Sequence, residues 1–341
     1  MFPSDRFKQM LAAARRHDSN NARLDAGEEL AMHSRLVASG RFDAGESLFM
    51  ARQLEYLRPG VMEVQYPELK GARLVPVDTN VDPGAASFTY QVFDQVGEAL
   101  VTSDLSSKPP RADVSGSESN QVIRSVIIAY GYSIQEARAA MMAKTPLIPR
   151  RAMAARDIIE RTLDNIIFLG NTVMGLKGLL NQSSPVTYAT PNGAAGDTEF
   201  ETKTPDEIVA DLHGIVNAIV VNSKEIEQPD TLLLPLSSFT YIASRRMGDG
   251  DSTTILDHFK KTSPYIKTVE ATHKLESNTA WTGKRMVAYR KDPNKLAFIL
   301  PQPFEQHPPQ ADMYELVTPC HARTGGVVVF CPKSIAYGDQ I

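Results

Sequence analysis

Apolar residues recur with a helical period in two long segments of the chain. The first, residues 150–170, is predicted to be a helix roughly 30 Å long. Its apolar stripe consists of Met153, Ile158, Ile159, Leu163 and Ile166. The second helix is predicted to begin at Pro205, because Thr204 and Glu207 have the spacing of a capping box and precede another apolar stripe.

Shorter apolar runs, several of them rich in β-branched residues, predict strands. They lie at 121–132, 231–236, 284–291, 295–301, 313–323 and 325–338. Short helices are predicted at 133–144, 237–247 and 253–261. Strands and helices do not alternate one for one along the chain, so the pattern predicts an α+β fold rather than a doubly wound parallel sheet.

Residues 61–112 carry the pattern of a two-stranded ribbon. Alternating apolar residues mark its two limbs: Val75 and Val77 in the first, and Phe88, Tyr90 and Val92 in the second. A turn is predicted between them at Asp82-Pro83-Gly84, and the polar stretch 107–120 is predicted to be a loop. Neither limb has enough apolar residues to build a core, and an isolated ribbon is barely stable in water. We therefore expect Phe88, Tyr90 and Val92 to contact another subunit.

The first 60 residues form a region of predicted short helices with thin apolar faces, which must pack on something else to be stable. Basic residues outnumber acidic ones near its start, where Arg6, Lys8, Arg15 and Arg16 are candidate DNA-facing residues. A solvated helix face is the more common explanation for residues of this kind. A phosphate-facing surface of this kind would bind nucleic acid without regard to its sequence.

Composition and motifs exclude several classes of protein. The chain has 42% hydrophobic and 22% charged residues, which excludes wholesale disorder. Its 36 Lys and Arg against 40 Asp and Glu give a net charge of −4, unlike a dedicated nucleic-acid binder. No phosphate-binding, zinc-protease or hydrolase motif is present, and the seven histidines lack metal-ligand spacing. We therefore expect no catalytic residues, no cofactor and no metal, and the absence of a long apolar run predicts no membrane partner.

The two cysteines admit two structural interpretations. Cys320 and Cys331 flank Gly325-Gly326, so a tight hairpin at the glycines would place them opposite each other and permit a disulfide. The glycines could equally form a bulge within one bent strand. Cys320 precedes His321, but adjacent residues of a strand point to opposite faces, so a nucleophilic pair would need another geometry.

The order of these segments resembles that of a known family, the major capsid proteins of tailed bacteriophages with the Hong-Kong-ninety-seven-type fold. The resemblance covers most of the chain from about residue 50. The segments that carry it are YPELKGARLVPVD (66–78), AYGYSIQEAR (129–138), GLKGLLNQ (175–182), TLLLPLSSF (231–239) and the ending from LPQPFEQHPPQ (300–310) onward.

The resemblance implies a domain organisation. It assigns 1–60 to an N-terminal helical arm, 61–112 to an extended loop, 113–180 to a peripheral domain with a spine helix at 150–170, 181–290 to an axial domain, and 291–341 to closing strands that complete both domains. In members that cross-link covalently, a lysine of the extended loop takes part. Here residues 72–107 contain no lysine, so we expect a shell without covalent links between subunits.

The resemblance also implies a function. The chain would be a structural subunit of an icosahedral viral capsid, assembling in the host cytoplasm as pentamers and hexamers around packaged double-stranded DNA. Scaffolding, portal and decoration proteins would be further partners. Two alternatives remain open: an encapsulin-type nanocompartment that holds a cargo enzyme, and an enzyme with an unrecognised site. The long helical arm favours the viral shell over the nanocompartment, and the enzyme would need a converging set of polar residues.

Overall fold

The computed structural model describes residues 64–101, 103, 110–144, 147–248, 252–276, 281 and 283–341. The helical arm predicted at 1–60 lies outside these residues. The helices and strands of the described residues belong to the compact unit Pro67–Ile341.

Two of the described helices begin at the capping boxes that the sequence predicts. The described helices are α1 (Gly71–Leu74), α2 (Ile134–Ala143), α3 (Leu147–Leu169), α4 (Pro205–Asn222), α5 (Leu236–Ser244) and α6 (Ile255–Thr262). Reciprocal capping boxes form at Ser133 and Glu136, which start α2, and at Thr204 and Glu207, which start α4. The long helix predicted at 150–170 is confirmed as α3, and it begins three residues before the predicted start.

The strands of the described residues form four sheets. In chain order they are β1 (Val77–Asp78), β2 (Ser87–Val96), β3 (Asp113–Val122), β4 (Arg124–Ser133), β5 (Val186–Ala189), β6 (Thr231–Pro235), β7 (Thr268–Thr272), β8 (Arg285–Tyr289), β9 (Leu296–Ile299), β10 (Gln302–Gln306), β11 (Gln310–Asp312), β12 (Glu315–Thr324), β13 (Gly326–Val329) and β14 (Ile335–Asp339). Short 3₁₀ turns lie at His273–Leu275 and Pro332–Ser334.

A five-stranded sheet and helices α4, α5 and α6 surround one hydrophobic core. The strand order is β5-β14-β8-β6-β7, with β6 and β7 parallel and β8 antiparallel to both β6 and β14. The apolar stripe of α4 is fully buried there, at Ile208, Leu212, Ile215 and Ile219. The strand predicted at 231–236 is β6, which lies between β8 and β7 and is buried along its length.

A second sheet is organised around β12, the longest of the closing strands. Strand β4 pairs with β12 over ten residues, from Glu315 opposite Ser133 to Thr324 opposite Arg124. Strands β10 and β11 pair with successive parts of its other edge. The long helix α3 packs against this sheet and buries Ile159, Ile166 and Phe168 in the largest core.

The ribbon forms, but its strands differ from the prediction. Strand β2, which carries Phe88, Tyr90 and Val92, pairs with β3 along ten residues of each. The stretch 113–120, predicted to be a loop, is therefore a strand, and the predicted pairing with Val75 and Val77 is wrong. Val77 instead pairs with Phe298 in a parallel contact between β1 and β9. The prediction missed β3 because eight of its ten residues are exposed and mostly polar, so no apolar alternation marks it.

The two glycines near the cysteines carry the chain from one sheet to another. Strand β12 ends at Thr324, and β13 starts at Gly326 and pairs with β9 rather than with β12. The hairpin interpretation is therefore wrong, and both thiols are free. Gly326 has a φ of +73°, and an added Cβ would lie 2.5 Å from the carbonyl oxygen of Lys177, so a side chain does not fit at this crossing.

Removing the cap of α4 should weaken the fold by a modest and specific amount. The Thr204 hydroxyl accepts a hydrogen bond from the Glu207 amide (3.4 Å), and the Glu207 carboxylate accepts one from the Thr204 amide (2.8 Å). We expect Thr204→Ala to lower the free energy of unfolding by about 1 kcal/mol, and Thr204→Ser to leave it nearly unchanged. Urea unfolding followed by circular dichroism measures the difference, and equal loss in both variants would contradict the capping role.

The hydrogen bond from the Thr204 amide to the Glu207 carboxylate makes the stability of this cap depend on pH. The backbone amide of Thr204 donates to the Glu207 carboxylate and holds its pKa below the ordinary value of 4.5. A carboxylate with a lowered folded-state pKa stabilises the protein above its ordinary pKa, and that stabilisation disappears as pH falls through the lowered value. The difference in the free energy of unfolding between wild type and Glu207→Gln should therefore be present at neutral pH and vanish in acid.

Candidate assembly surfaces

The chemistry suggested by adjacent Cys320 and His321 does not form in the structure. Cys320 is buried in the large core, and His321 points to the opposite face of β12. There its ring lies against His307, with His307 Nε2 2.8 Å from His321 Nδ1. Burial also raises the pKa of the Cys320 thiol, which is the wrong direction for a nucleophile.

The described residues also provide no site for a metal ion. No three His, Cys, Asp or Glu side chains among them are placed to hold a metal ion. His213 packs its ring 5.0 Å from Phe259, between α4 and α6, and desolvation lowers its pKa. Within the described part of the chain, no helix is both long and apolar enough to cross a membrane.

The base of the ribbon rests on its own chain. The ring of Tyr90 lies 5.0 Å from Phe330, edge to face, and the ring of Phe88 lies 6.3 Å from it. Both rings cover a small core that contains Ile299 and Val328. The expectation that this face has no core of its own is therefore wrong for Phe88 and Tyr90.

The outer part of the ribbon has no such support among the described residues. Val92 is 43% exposed and the next residue, Phe93, is 68% exposed. Further exposed apolar side chains continue toward the tip, at Val96, Leu100, Val101 and Val114. Neighbouring exposed apolar side chains of this kind are typical of interaction surfaces.

A second unpartnered apolar surface lies beside the long helix. It is a groove of about 420 Å³ between α1, α3 and the strands β9 and β10. Its apolar lining comes mainly from Leu69, Leu163, Phe298, Leu300, Pro303 and Phe304. Arg156 and Glu160, an ion pair with 2.7 Å between Nε and Oε1, stand at its edge.

Charge differs between the ribbon and the start of the long helix. The described ribbon and its ends carry acidic residues at Asp94, Glu98, Asp113 and Glu118, and one basic residue, Arg111. Basic residues predominate around the junction of α2 and α3, where Arg138, Lys144 and Arg150 are exposed. Arg151 is tied to Glu136 by two contacts of 3.1 Å, which lower the pKa of the glutamate. Opposite charges on two exposed surfaces of one chain favour contacts between copies.

The remaining candidate residues fall into two groups. Arg6, Lys8, Arg15 and Arg16, the predicted DNA-facing residues, lie outside the described residues. Of the other candidates, the structure brings Phe88 and Tyr90 together on Phe330 and leaves Val92 on the exposed part of the ribbon. The sequence-based prediction missed Phe93, although this residue breaks the alternation set by Phe88, Tyr90 and Val92 and so places an apolar side chain on the other face of β2.

Comparison with known proteins agrees with this architecture. The major capsid protein family matches residues 97–341 of the chain. No curated protein matches at a significant level. The solved structures that resemble it include the capsid of Myoviridae phage XM1, at 16% identity and a TM-score of 0.75 over 86% of this chain and 99% of that chain.

Two further structures show the same fold. The capsid of a native GTA particle is 12% identical, with a TM-score of 0.60 over 84% of this chain and 95% of that chain. A protein of Mycobacterium phage Ogopogo is 15% identical, with a TM-score of 0.55 over 84% of this chain and 97% of that chain. At such low identities these structures establish the fold alone.

The fold is the α+β fold of phage capsid subunits, as the order of the sequence segments predicts. Because the family match spans more than half of the chain, the protein belongs to the major capsid protein family. It is a structural subunit of a capsid and a component of the virion, and this is not a family of enzymes. Nothing in the comparisons favours a cargo compartment or an enzyme.

Proposed function

We propose that this chain assembles with copies of itself, as pentamers and hexamers, into an icosahedral shell around packaged double-stranded DNA. The observation that carries the proposal is the outer ribbon. Val92 and Val96 on one face of β2, and Phe93 on the other, expose apolar surface that the described part of their own chain does not cover. A neighbouring subunit would bury it, and the opposite charges of the ribbon and of the α2–α3 junction support such a contact.

The domain organisation belongs to the same proposal. The sheet around β12 and helix α3 would form the peripheral domain, and the five-stranded sheet with α4, α5 and α6 would form the axial domain that meets its copies at the symmetry axes. The closing strands serve both, since β12 lies in the first sheet and β14 in the second. The extended loop would run to residue 122 rather than 112, because β3 is its second limb.

Other partners follow from the role of a shell that contains DNA. Arg6, Lys8, Arg15 and Arg16 would face the packaged DNA through phosphate contacts that are independent of base sequence. Scaffolding, portal and decoration proteins would bind during or after assembly in the host cytoplasm. The shell would perform no catalysis, because its role is to enclose the DNA.

The test is the assembly state of the purified full chain. We expect light scattering to detect capsomers or shells, of megadalton size when complete, and electron microscopy to show closed icosahedral particles. Particles purified from infected cells should contain DNA that nuclease reaches only after the shells are opened. A stable monomer at all salt concentrations would contradict the proposal, and particles filled with an enzyme instead of DNA would support the nanocompartment.

A further inference from the structure

A lysine and an aspartate are buried against each other at the start of α4. Lys203 Nζ lies 2.5 Å from Asp211 Oδ2, and the two side chains are only 1% and 2% exposed. Lys203 precedes the cap residue Thr204, whereas Asp211 lies about two turns into the helix, so the lysine side chain runs alongside the helix. Apolar side chains would often fill such a space with equal or greater stability, so a buried ion pair is weak evidence for a purely stabilising role.

The pair is closed off from solvent, and the hydroxyl of Tyr188 lies beside it. The Tyr188 hydroxyl donates to Asp211 Oδ1 at 3.3 Å. Burial is the main cause that raises the pKa of Tyr188 to about 12, so its hydroxyl keeps its proton. The loop at Gly193 closes over the lysine so tightly that an added Cβ would lie 2.7 Å from Lys203 Cγ.

Burial also acts on the carboxyl group. Desolvation raises the pKa of Asp211, and the hydrogen bond and charge of Lys203 only partly oppose it. A lysine amine that has lost its proton in a desolvated site is a nucleophile, and here the carboxyl group of Asp211 lies against Lys203 Nζ.

We propose that Lys203 and Asp211 join in an intramolecular isopeptide bond. A proton passes from the ammonium to the carboxylate, which leaves an amine and a carboxylic acid in contact. Nζ then attacks Cγ and forms the C–N bond, while the Tyr188 hydroxyl stabilises the negative charge that develops on Oδ1. The bond from Cγ to Oδ2 breaks, and Oδ2 leaves as water with one proton of the acid and one of the amine. The products are one amide and one water molecule, and no co-reactant is needed.

The bond would fix the loop before α4 to the second turn of that helix. It lies within one chain, so it leaves the expectation of a shell without covalent links between subunits unchanged. It also stands apart from the proposed assembly, since it depends only on contacts inside the fold of one subunit. Failure of either proposal would therefore leave the other in place.

Mass spectrometry of the denatured full chain tests the bond. We expect the intact mass to be lower than that of the sequence by one water molecule. A protease that cleaves after glutamate cuts at Glu207, between the two residues, and the fragments with Lys203 and Asp211 should stay joined. An undiminished mass would overturn the proposal. So would a mass lower by one water with fragments that separate, because that result indicates a cyclic imide at a single aspartate.

Two variants sharpen the test. Lys203→Arg keeps the positive charge, but its guanidinium stays protonated and is not a nucleophile, so its mass should be undiminished and its fragments should separate. Tyr188→Phe keeps the ring and removes the hydroxyl, so the bonded fraction at a fixed time after synthesis should fall. An unchanged bonded fraction in Tyr188→Phe would contradict the role of the hydroxyl, and joined fragments in Lys203→Arg would contradict the assignment to Lys203.

Discussion

Replacing Val92, Phe93 and Val96 with serine is expected to prevent shell assembly while leaving the subunit folded. The three side chains lie on the outer ribbon and are largely exposed in the single subunit. Buried against a neighbour, each would contribute roughly 1.5–3 kcal/mol before ordering costs. The proposed contact would recur at every subunit of the shell, so the substitutions would remove its contribution from every subunit of the particle.

The measurement compares circular dichroism, urea unfolding and particle yield for the triple variant and wild type. Gln95→Ser is a matched control, because it changes an exposed polar residue of the same strand and should assemble normally. Normal assembly of the triple variant would show that the outer ribbon is not a contact between subunits.

A double substitution distinguishes the role of the base of the ribbon from that of its outer part. Phe88 and Tyr90 are partly buried on Phe330 of their own chain, so replacing both with serine should lower the stability of the subunit itself, by about 2 kcal/mol. The variant with serine at Val92, Phe93 and Val96 should yield fewer particles at an unchanged free energy of unfolding. The variant with serine at Phe88 and Tyr90 should instead show a lower free energy of unfolding. Equal effects of the two variants on unfolding would contradict this division of the ribbon.

Arg285→Lys is expected to destabilise the subunit strongly, although the substitution conserves the positive charge. The guanidinium of Arg285 binds both oxygens of Asp339, at 2.5 and 2.8 Å, and also donates to the carbonyl oxygen of Leu180 at 2.6 Å. Its Cζ atom lies over the ring of Trp281 and over the ring of Tyr337, 4.6 Å from each centroid. A lysine can reproduce neither the paired contact nor the stacking, so we expect a loss of about 2–3 kcal/mol in the free energy of unfolding.

The position of Arg285 explains the size of this effect. Its contacts join β8, β14 and the segment after α3, and so connect the five-stranded sheet to the large core around the long helix. Arg290→Lys is the matched control, since Arg290 is more exposed and its carboxylate contacts are 3.7 and 3.9 Å long. We expect that control to change stability by no more than about 0.5 kcal/mol. Similar losses in the two variants, measured by urea unfolding, would contradict a special role for Arg285.

The helices were predictable because their signals are local. The stripe of α3 and the capping boxes of α2 and α4 depend on residues three or four positions apart, which meet as soon as the helix forms. The strand at 231–236 was predictable for a similar reason, since a short apolar run between turns is typical of a buried strand. The order of such elements was also enough to indicate the capsid family.

The ribbon and its surfaces were only partly predictable. Residues 113–120 carry no apolar alternation, and they form a strand because β2 supplies hydrogen-bonding partners some twenty residues earlier in the chain. The sequence also could not show that Phe88 and Tyr90 are partly buried whereas Val92 and Phe93 are exposed. Phe330, which contacts Phe88 and Tyr90, lies more than 200 residues away in the chain.

Local sequence patterns were sufficient for the helices, the main strands and the family. The tertiary structure alone decided which strand partners β2, which sheet receives the chain after Gly325, and which charges meet in the interior. Lys203 and Asp211 look like ordinary polar residues at a helix start, and they become a buried pair only when Tyr188 and the loop at Gly193 close around them. The physical reason is that pairing and burial depend on residues remote in the chain, whereas helix periodicity and capping are complete within a few turns.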